Sequence, residues 1–430
     1  MSRGLTGEVR RAWDALQPAL MLPRWWVAWL LRRLLFRTTM IAITGSNGKT
    51  TATRYLAAIL SAEAPTEWTR LNRNNAAGIT ETIAFCRPWS TRYAVFEVGL
   101  GYPGSIARLA GLVRPHIAVE LSVFLEHRST MKTLEATARE KAELLKSLQP
   151  GGTAVLNMDD PLVAGMQVPP GRGVIRFGSG AENDVRCGEI VSAWPQLLRF
   201  TVFANGERRE IRTRLLGEHW VGSLMACVAV ALHLEIPLER IARAIEQVPP
   251  YPGRMQVVEL PSGAIAIRDE FKGSQHTIDA AFEVLRTAEA RRRFLVFGDV
   301  AETKEKPRKR LARIGRTAAA MTDFAVFVGE NAQHGRRGAL NAGMGEEHVQ
   351  AFSEYEEAAD FLRPLLGPGD VILFKAGRNN LLPRVFFSLI GEVRCRINNC
   401  KRPMVCDDCP EFGNPELVQR VRDELTVRVV

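Results

Sequence analysis

Gly45-Ser46-Asn47-Gly48-Lys49-Thr50-Thr51 is the stretch of this 430-residue chain whose residue types and spacing point most directly to chemistry. An apolar run from Met40 leads into it, and the segment after Lys49 can be helical to about Ser61. Gly45 and Gly48 let backbone N–H groups turn towards an anion, and a helix N-terminus adds a favourable dipole. Lys49 can reach β- and γ-phosphates, and the Thr50 hydroxyl can bind Mg²⁺. The spacing Gly-x-x-Gly-Lys-Thr is two residues shorter than the general phosphate-loop pattern. A Gly-rich turn before a helix is common, but Gly-Lys-Thr directly after an apolar run implies nucleotide binding.

Two further groups carry chemistry. Glu97 closes the buried-type run Ala94-Val-Phe-Glu-Val-Gly99, and Glu126-His127 follows the next such run. A carboxylate and an imidazole facing a nucleotide are reasonable Mg²⁺ ligands. Taken singly, Glu97 reads as a solvated strand end and His127 as a loop histidine. The second group is Cys395, Cys400, Cys406 and Cys409, four soft ligands within fifteen residues among Pro, Asn and Asp. That density suits a tetrahedral Zn²⁺ site, whose binding energy would fold a tail too small for its own core. An Fe–S cluster uses the same ligand type, and free thiols are the ordinary alternative. Cys86, Cys187 and Cys227 read as buried core residues.

The elements that must hold these groups follow from hydrophobic patterning. Apolar runs at 92–98, 116–123 and 152–157 alternate with helical stretches, one of them over 131–148. A less regular, β-like stretch runs on to Leu216, followed by an Ala-rich helix. Strand–helix alternation argues for an α/β fold with a mainly parallel sheet and ligands at the strand C-terminal ends. Tyr251-Pro-Gly-Arg-Met255 breaks the preceding helix and starts a second alternation, with strands at 293–297 and 323–329. The chain therefore reads as a basic Trp/Leu-rich segment (1–38), a central phosphate-loop domain (39–250), a smaller Rossmann-like α/β domain (251–393) and a Cys-rich tail (394–430).

Composition limits the partners. The net charge of +10 is spread among acidic residues and suits anionic substrates or membrane surfaces rather than nucleic acid. Half of that excess lies in residues 1–38, where Trp25-Trp-Val-Ala-Trp-Leu-Leu31 is closely bracketed by Arg24, Arg32, Arg33 and Arg37. Seven apolar residues cannot span a bilayer, which needs ~20. Residues 10–37 therefore read as a helix packed on the body of the protein or on a second subunit, or as one lying in a membrane interface. No cleavable secretory signal is legible, and the cysteine pattern suits a reducing compartment, so a cytoplasmic protein is expected, membrane-associated only in the interfacial reading of that helix.

Ile43-Thr-Gly-Ser-Asn-Gly-Lys-Thr-Thr51, Asn72-Arg-Asn-Asn-Ala-Ala-Gly-Ile-Thr80, Phe96-Glu-Val-Gly-Leu-Gly101 and Ala154-Val-Leu-Asn-Met-Asp-Asp160, in this order, resemble the Mur ligase family, its D-Ala-D-Ala-adding members most nearly. The resemblance covers about residues 38–390. It implies that Gly45, Ser46, Asn47, Gly48, Lys49, Thr50 and Thr51 hold ATP, with Thr50, Glu97 and His127 on Mg²⁺. It also makes Lys141 the family's carbamylated lysine, although the sequence alone reads Lys141 as a surface helix residue. Gly217-Glu-His-Trp-Val-Gly-Ser223 matches a family motif with Trp220 and Ser223 in place of asparagines, leaving Ser223 and His219 as altered nucleotide contacts. Arg254 occupies the position of a phosphate-contacting arginine and Asp269 a nucleotide-facing one. Lys272-Gly-Ser-Gln-His276 departs from the family pattern, and Lys375 and Arg378 offer charge for an anionic substrate.

The resemblance implies an ATP-dependent amide ligase: a substrate carboxylate becomes an acyl phosphate, an amine displaces the phosphate, and ADP is released. Lys49, Glu97, His127, Lys141 and Arg254 are its expected catalytic set. Only about 38 residues precede the phosphate loop, too few for the family's UDP-sugar-binding domain, so a carboxylate other than UDP-MurNAc is expected. An ATP-binding regulatory or partner-dependent subunit is the alternative, and a kinase acting on a hydroxyl a third. A homo-oligomer or a partner subunit is compatible with either.

Overall fold

The computed structural model describes residues 22–70, 73–124, 133–300, 305–377, 380, 382–397, 400 and 405–427. The chain divides into two compact units. The first takes residues 1–189, 200–211 and 220–246; the second takes 190–199, 212–219 and 247–430.

The first unit is built on a sheet of nine strands. They are β1 (Thr39–Thr44), β2 (Thr66–Trp68), β3 (Tyr93–Glu97), β4 (Ile117–Glu120), β5 (Thr153–Asn157), β6 (Gly173–Gly178), β7 (Val185–Val191), β8 (Arg199–Ala204) and β9 (Glu207–Arg212). Their order is β2-β3-β1-β4-β5-β6-β7-β8-β9. Every pairing from β2 through β7 is parallel. β1, β3 and β4 are buried along almost their whole length, as strands covered on both faces must be. Asn205 and Gly206, both at positive φ, make the two-residue turn between β8 and β9. The 116–123 run pairs only as far as Glu120. Leu121 and Ser122 leave the sheet because their carbonyls serve Asn157 and the phosphate loop instead.

Helices cover the sheet: α1 (22–34), α2 (Lys49–Ser61), α3 (Ala76–Phe85), α4 (Ser105–Val113), α5 (Leu134–Lys146), α6 (Pro161–Ala164), α7 (Val221–His233) and α8 (Leu238–Gln247). Asn75 and Thr133 cap α3 and α5 through their side-chain oxygens. In α1, Ala28 and Leu35 just beyond its end are buried, and Trp25 and Trp29 pack against the same core. Arg32 is also buried and donates to Val113 O (2.6 Å) and Arg114 O (2.9 Å). The packing alternative for the N-terminal segment thus holds for one face of α1. Residues 10–21 lie outside the described residues.

The second unit contains β10 (Gln256–Glu259), β11 (Ile265–Asp269), β12 (Arg292–Gly298), β13 (Phe324–Val328), β14 (Val349–Phe352) and β15 (Asp370–Lys375), in the order β10-β11-β15-β12-β13-β14. β10 is antiparallel to β11; the other pairings are parallel. Helices α9 (Gln275–Thr287), α10 (Pro307–Ala319), α11 (Ala332–Leu340), α12 (Tyr355–Leu362) and α13 (Leu382–Ser388) accompany them. An α/β fold with a large parallel-sheet domain, a smaller α/β domain and a Cys-rich tail is what the sequence implied.

The tail packs apolar side chains into the second unit. Phe412, and Leu417, Val418 and Val421 of α14 (Pro415–Arg420) and the turn after it, join the core of the second unit. Arg268, fully buried, forks onto Asp407 (2.7 and 2.9 Å) and onto Glu270 (2.6 and 2.9 Å). Cys395, Cys400, Cys406 and Cys409 line one cavity of about 50 Å³ beside this network. They are free thiols, and no group of three His, Cys, Asp or Glu among the described residues is placed to hold a metal ion. The expected Zn²⁺ site is therefore not shown among the described residues.

Candidate phosphate-loop site

β1 delivers the phosphate loop, and α2 starts at Lys49. Gly48 stands at φ 80°, and a Cβ there would run into Ser223 Oγ, so glycine is required on both counts. That clash also places Ser223, buried on α7, directly against the loop; Cys227 one turn on donates to Ala52 O of α2 (3.2 Å). Ser46 N donates to Ser122 O (2.7 Å), and Ser46 Oγ both accepts from Phe124 N (2.8 Å) and donates to Phe124 O (3.0 Å). Lys49 Nζ donates to Gly45 O (2.5 Å) and Ser46 O (3.3 Å), folded along the loop it belongs to. Thr51 is buried under α2's first turn.

Glu97, at the C-terminal end of β3, is fully buried rather than a solvated strand end. Its Oε2 accepts from Thr50 Oγ1 (2.9 Å) and its Oε1 from Asn74 Nδ2 (2.8 Å). β3 pairs with β1 in parallel register, and that register carries Glu97 to the mouth of the loop. Gly99 lets Asn74 approach: a Cβ there would stand 2.6 Å from Asn74 Cγ. A hydroxyl and a carboxylate side by side at a phosphate loop are the hard oxygen donors Mg²⁺ takes, so these residues fit the ion. His127 lies outside the described residues.

Lys141 is the clearest departure from the sequence reading. It sits on the inner face of α5 with no solvent exposure, not on the surface. Glu120, which the sequence did not single out, is equally buried at the end of β4, and neither of its carboxylate oxygens finds a hydrogen bond among the described residues. Burial pushes the Glu120 carboxyl well above its ordinary value; Lys141 opposes that and Asp160 adds to it. Asp160 itself accepts from Val123 N (2.7 Å), Leu162 N (2.9 Å) and Val163 N (3.2 Å). An acidic residue inside an Ile-Ala-Val-Glu run was the only available signal for Glu120.

In the second unit, Arg254 follows the Tyr251-Pro-Gly turn, its guanidinium 4.5 Å from the Phe271 ring centroid and 5.8 Å from that of Tyr251. Asp269 closes β11 opposite Lys375 of β15, and Lys375 Nζ donates to Asp269 Oδ2 (2.5 Å) and Lys272 O (2.7 Å). Burial raises the Asp269 carboxyl, against the pull of Lys375 and Arg254. Lys375 is fully buried and paired with Asp269, so it is not a surface charge. Arg378 lies outside the described residues. His219 is exposed, and Trp220 beside it in the sequence is buried.

Residues 43–231 match the model of the Mur ligase middle domain, and residues 253–378 that of the Mur ligase, glutamate ligase domain. The UDP-N-acetylmuramoyl-tripeptide–D-alanyl-D-alanine ligase of Mycobacterium tuberculosis is 30% identical over 384 residues, covering 83% of this chain and 74% of that protein. The ligase of the same name from Bacillus subtilis is 27% identical over 359 residues, 82% of this chain and 76% of its own. A crystal structure of MurF from Acinetobacter baumannii superposes with a TM-score of 0.78 at 28% identity, covering 86% of this chain and 80% of that one. The two domain models in sequence order, the relatives and the structural likeness together show that this chain belongs to the Mur ligase family of ATP-dependent, ADP-forming carboxylate–amine ligases.

Proposed function

We propose that this protein joins a carboxylate other than UDP-MurNAc to an amine or amino acid, activating the carboxylate as an acyl phosphate. The observation that carries the ligase chemistry is the hydrogen bond between Thr50 and Glu97 at the mouth of the phosphate loop, with Asn74 holding the far carboxylate oxygen. In this reading the substrate carboxylate attacks the γ-phosphorus of ATP, ADP leaves, and the amine then attacks the acyl carbon and releases phosphate. Lys49 and the loop N–H groups hold the transferring phosphate, and Arg254 is the further phosphate contact. Thr50, Glu97 and His127 hold Mg²⁺, which neutralises charge on the phosphates when bound. Lys141 carries a carbamate, Ser223 and Asp269 face the nucleotide, and the reaction takes place in the cytoplasm.

The choice of substrate rests on Lys272-Gly-Ser-Gln-His276, which departs from the family pattern beside Asp269. The test is ADP release from ATP and Mg²⁺ across a panel of carboxylates, UDP-MurNAc-tripeptide among them, with hydroxylamine to trap acyl phosphate as hydroxamate. Carboxylate-dependent ADP with a hydroxamate supports the proposal. Turnover on UDP-MurNAc-tripeptide alone overturns the substrate reading. ATP binding without turnover on any carboxylate would favour the regulatory subunit instead.

A further inference from the structure

Helix α1 is apolar on two sides, and only one of them is covered by other described residues. Leu22, Trp26, Leu30 and Leu34, one turn apart, run along the face opposite the buried Ala28 and Arg32, and each is more than half exposed, from 54 to 62%. Phe36 extends the stripe at 75% exposure. Thr38 Oγ1 donates to Thr91 O (2.8 Å), which brings the turn bearing Trp89, 85% exposed, alongside the end of the stripe. Single exposed apolar residues are ordinary, but a run of this length with two large aromatics marks a surface that something covers.

We infer that this face docks on an anionic lipid bilayer, with α1 lying in the plane of the interface. Three observations favour lipid over protein. Residues 22–38 contain Arg24, Arg32, Arg33 and Arg37 and no acidic residue, so pairing two copies along α1 sets arginine against arginine. The chain's own residues 1–21, with Arg3, Arg10 and Arg11 against Glu8 and Asp14, are net positive as well. The side chains are those of an interfacial helix: the Arg33 guanidinium lies over the Trp29 ring, 3.0 Å from its centroid, beside the outward Trp26, while Arg24 and Arg37 flank the stripe. Thirteen residues of helix reach only about 20 Å, short of the roughly 30 Å hydrocarbon thickness. No helix of the described residues is long and apolar enough to cross a membrane. The helix therefore lies on the bilayer, its inner face held to the first unit by Arg32, Ala28 and Leu35.

The test is flotation of the full-length protein with vesicles of phosphatidylcholine alone, or with about a third phosphatidylglycerol. The protein is expected to float with the anionic vesicles and to be released by salt. Trp26→Ser/Leu30→Ser, which keeps every charge and alters only exposed side chains, is expected to weaken binding ~tenfold or more while leaving the melting temperature unchanged. Arg33→Glu/Arg37→Glu is expected to abolish the preference for phosphatidylglycerol. Wild type that stays unbound overturns the inference. So does a serine variant that floats like wild type, because binding then comes from diffuse charge elsewhere. A concentration-dependent dimer lost in the serine variant, without vesicle binding, assigns the face to a second copy instead.

Discussion

Both units bury a lysine completely, and they do opposite things with it. Lys375 joins β15 to the end of β11 through a 2.5 Å contact with Asp269, and its second contact, to Lys272 O, ties down the following loop. The amine and the carboxylate answer each other, so that lysine is a structural clamp. Lys141 lies as deep, facing Glu120, whose carboxylate has no hydrogen bond among the described residues. A carboxyl brought out of water without a hydrogen bond costs stability. A fold keeps such a cost where the groups serve chemistry, which is the role proposed for Lys141. Burial alone therefore does not separate a clamp from a working residue; the state of the opposing carboxylate does.

Lys375→Met would break this contrast most severely. It strands Asp269 in the interior and is expected to cost about 3–5 kcal/mol in urea denaturation. Lys141→Met is expected to lower carboxylate-dependent ADP release ~100-fold or more. Lys141→Glu should recover part of that rate if a carbamate's charge is what the site uses; equal losses in both variants would refute the carbamate role.

Two smaller effects sharpen the comparison. Asp407→Asn weakens the fork from Arg268 and is expected to cost about 1–3 kcal/mol, read as earlier proteolysis of the tail. Glu120→Gln tests the open pair by pH. Burial raises the Glu120 pKa above its ordinary 4.5, so between that value and the folded one the unfolded chain has lost a proton the folded chain keeps. Folding stability is therefore lost as pH rises through this window. Glu120→Gln should raise the melting temperature at neutral pH, with the gain vanishing below about pH 4. A gain independent of pH would show that Glu120 does not titrate in this window.

Much of the site was legible because its parts are local. The phosphate loop is contiguous, and its glycines, lysine and threonine act through neighbours in sequence. Glu97 was legible as the polar end of an apolar run, but its purpose depends on parallel β1–β3 pairing and on Asn74, 23 residues earlier. Nothing local distinguishes Lys141 from the solvated lysines of other helices; its burial follows from which face of α5 packs on the sheet. The cysteine tail was only partly legible for the same reason. Its spacing is compatible with a metal, while the partner that binds it, Arg268, lies 139 residues away from Asp407.

The sequence by itself determined the α/β alternation, the nucleotide cradle and the family, since these depend on periodicity and on motifs read along the chain. Only the tertiary structure decided which charged side chains face each other. It made Lys375 a clamp, placed Lys141 against Glu120, docked the tail through Arg268 and left one face of α1 uncovered by the described residues. The physical reason is that charges and apolar faces act through space: their energies depend on burial and on the opposing group, and sheet register and helix packing bring those together from distant parts of the chain.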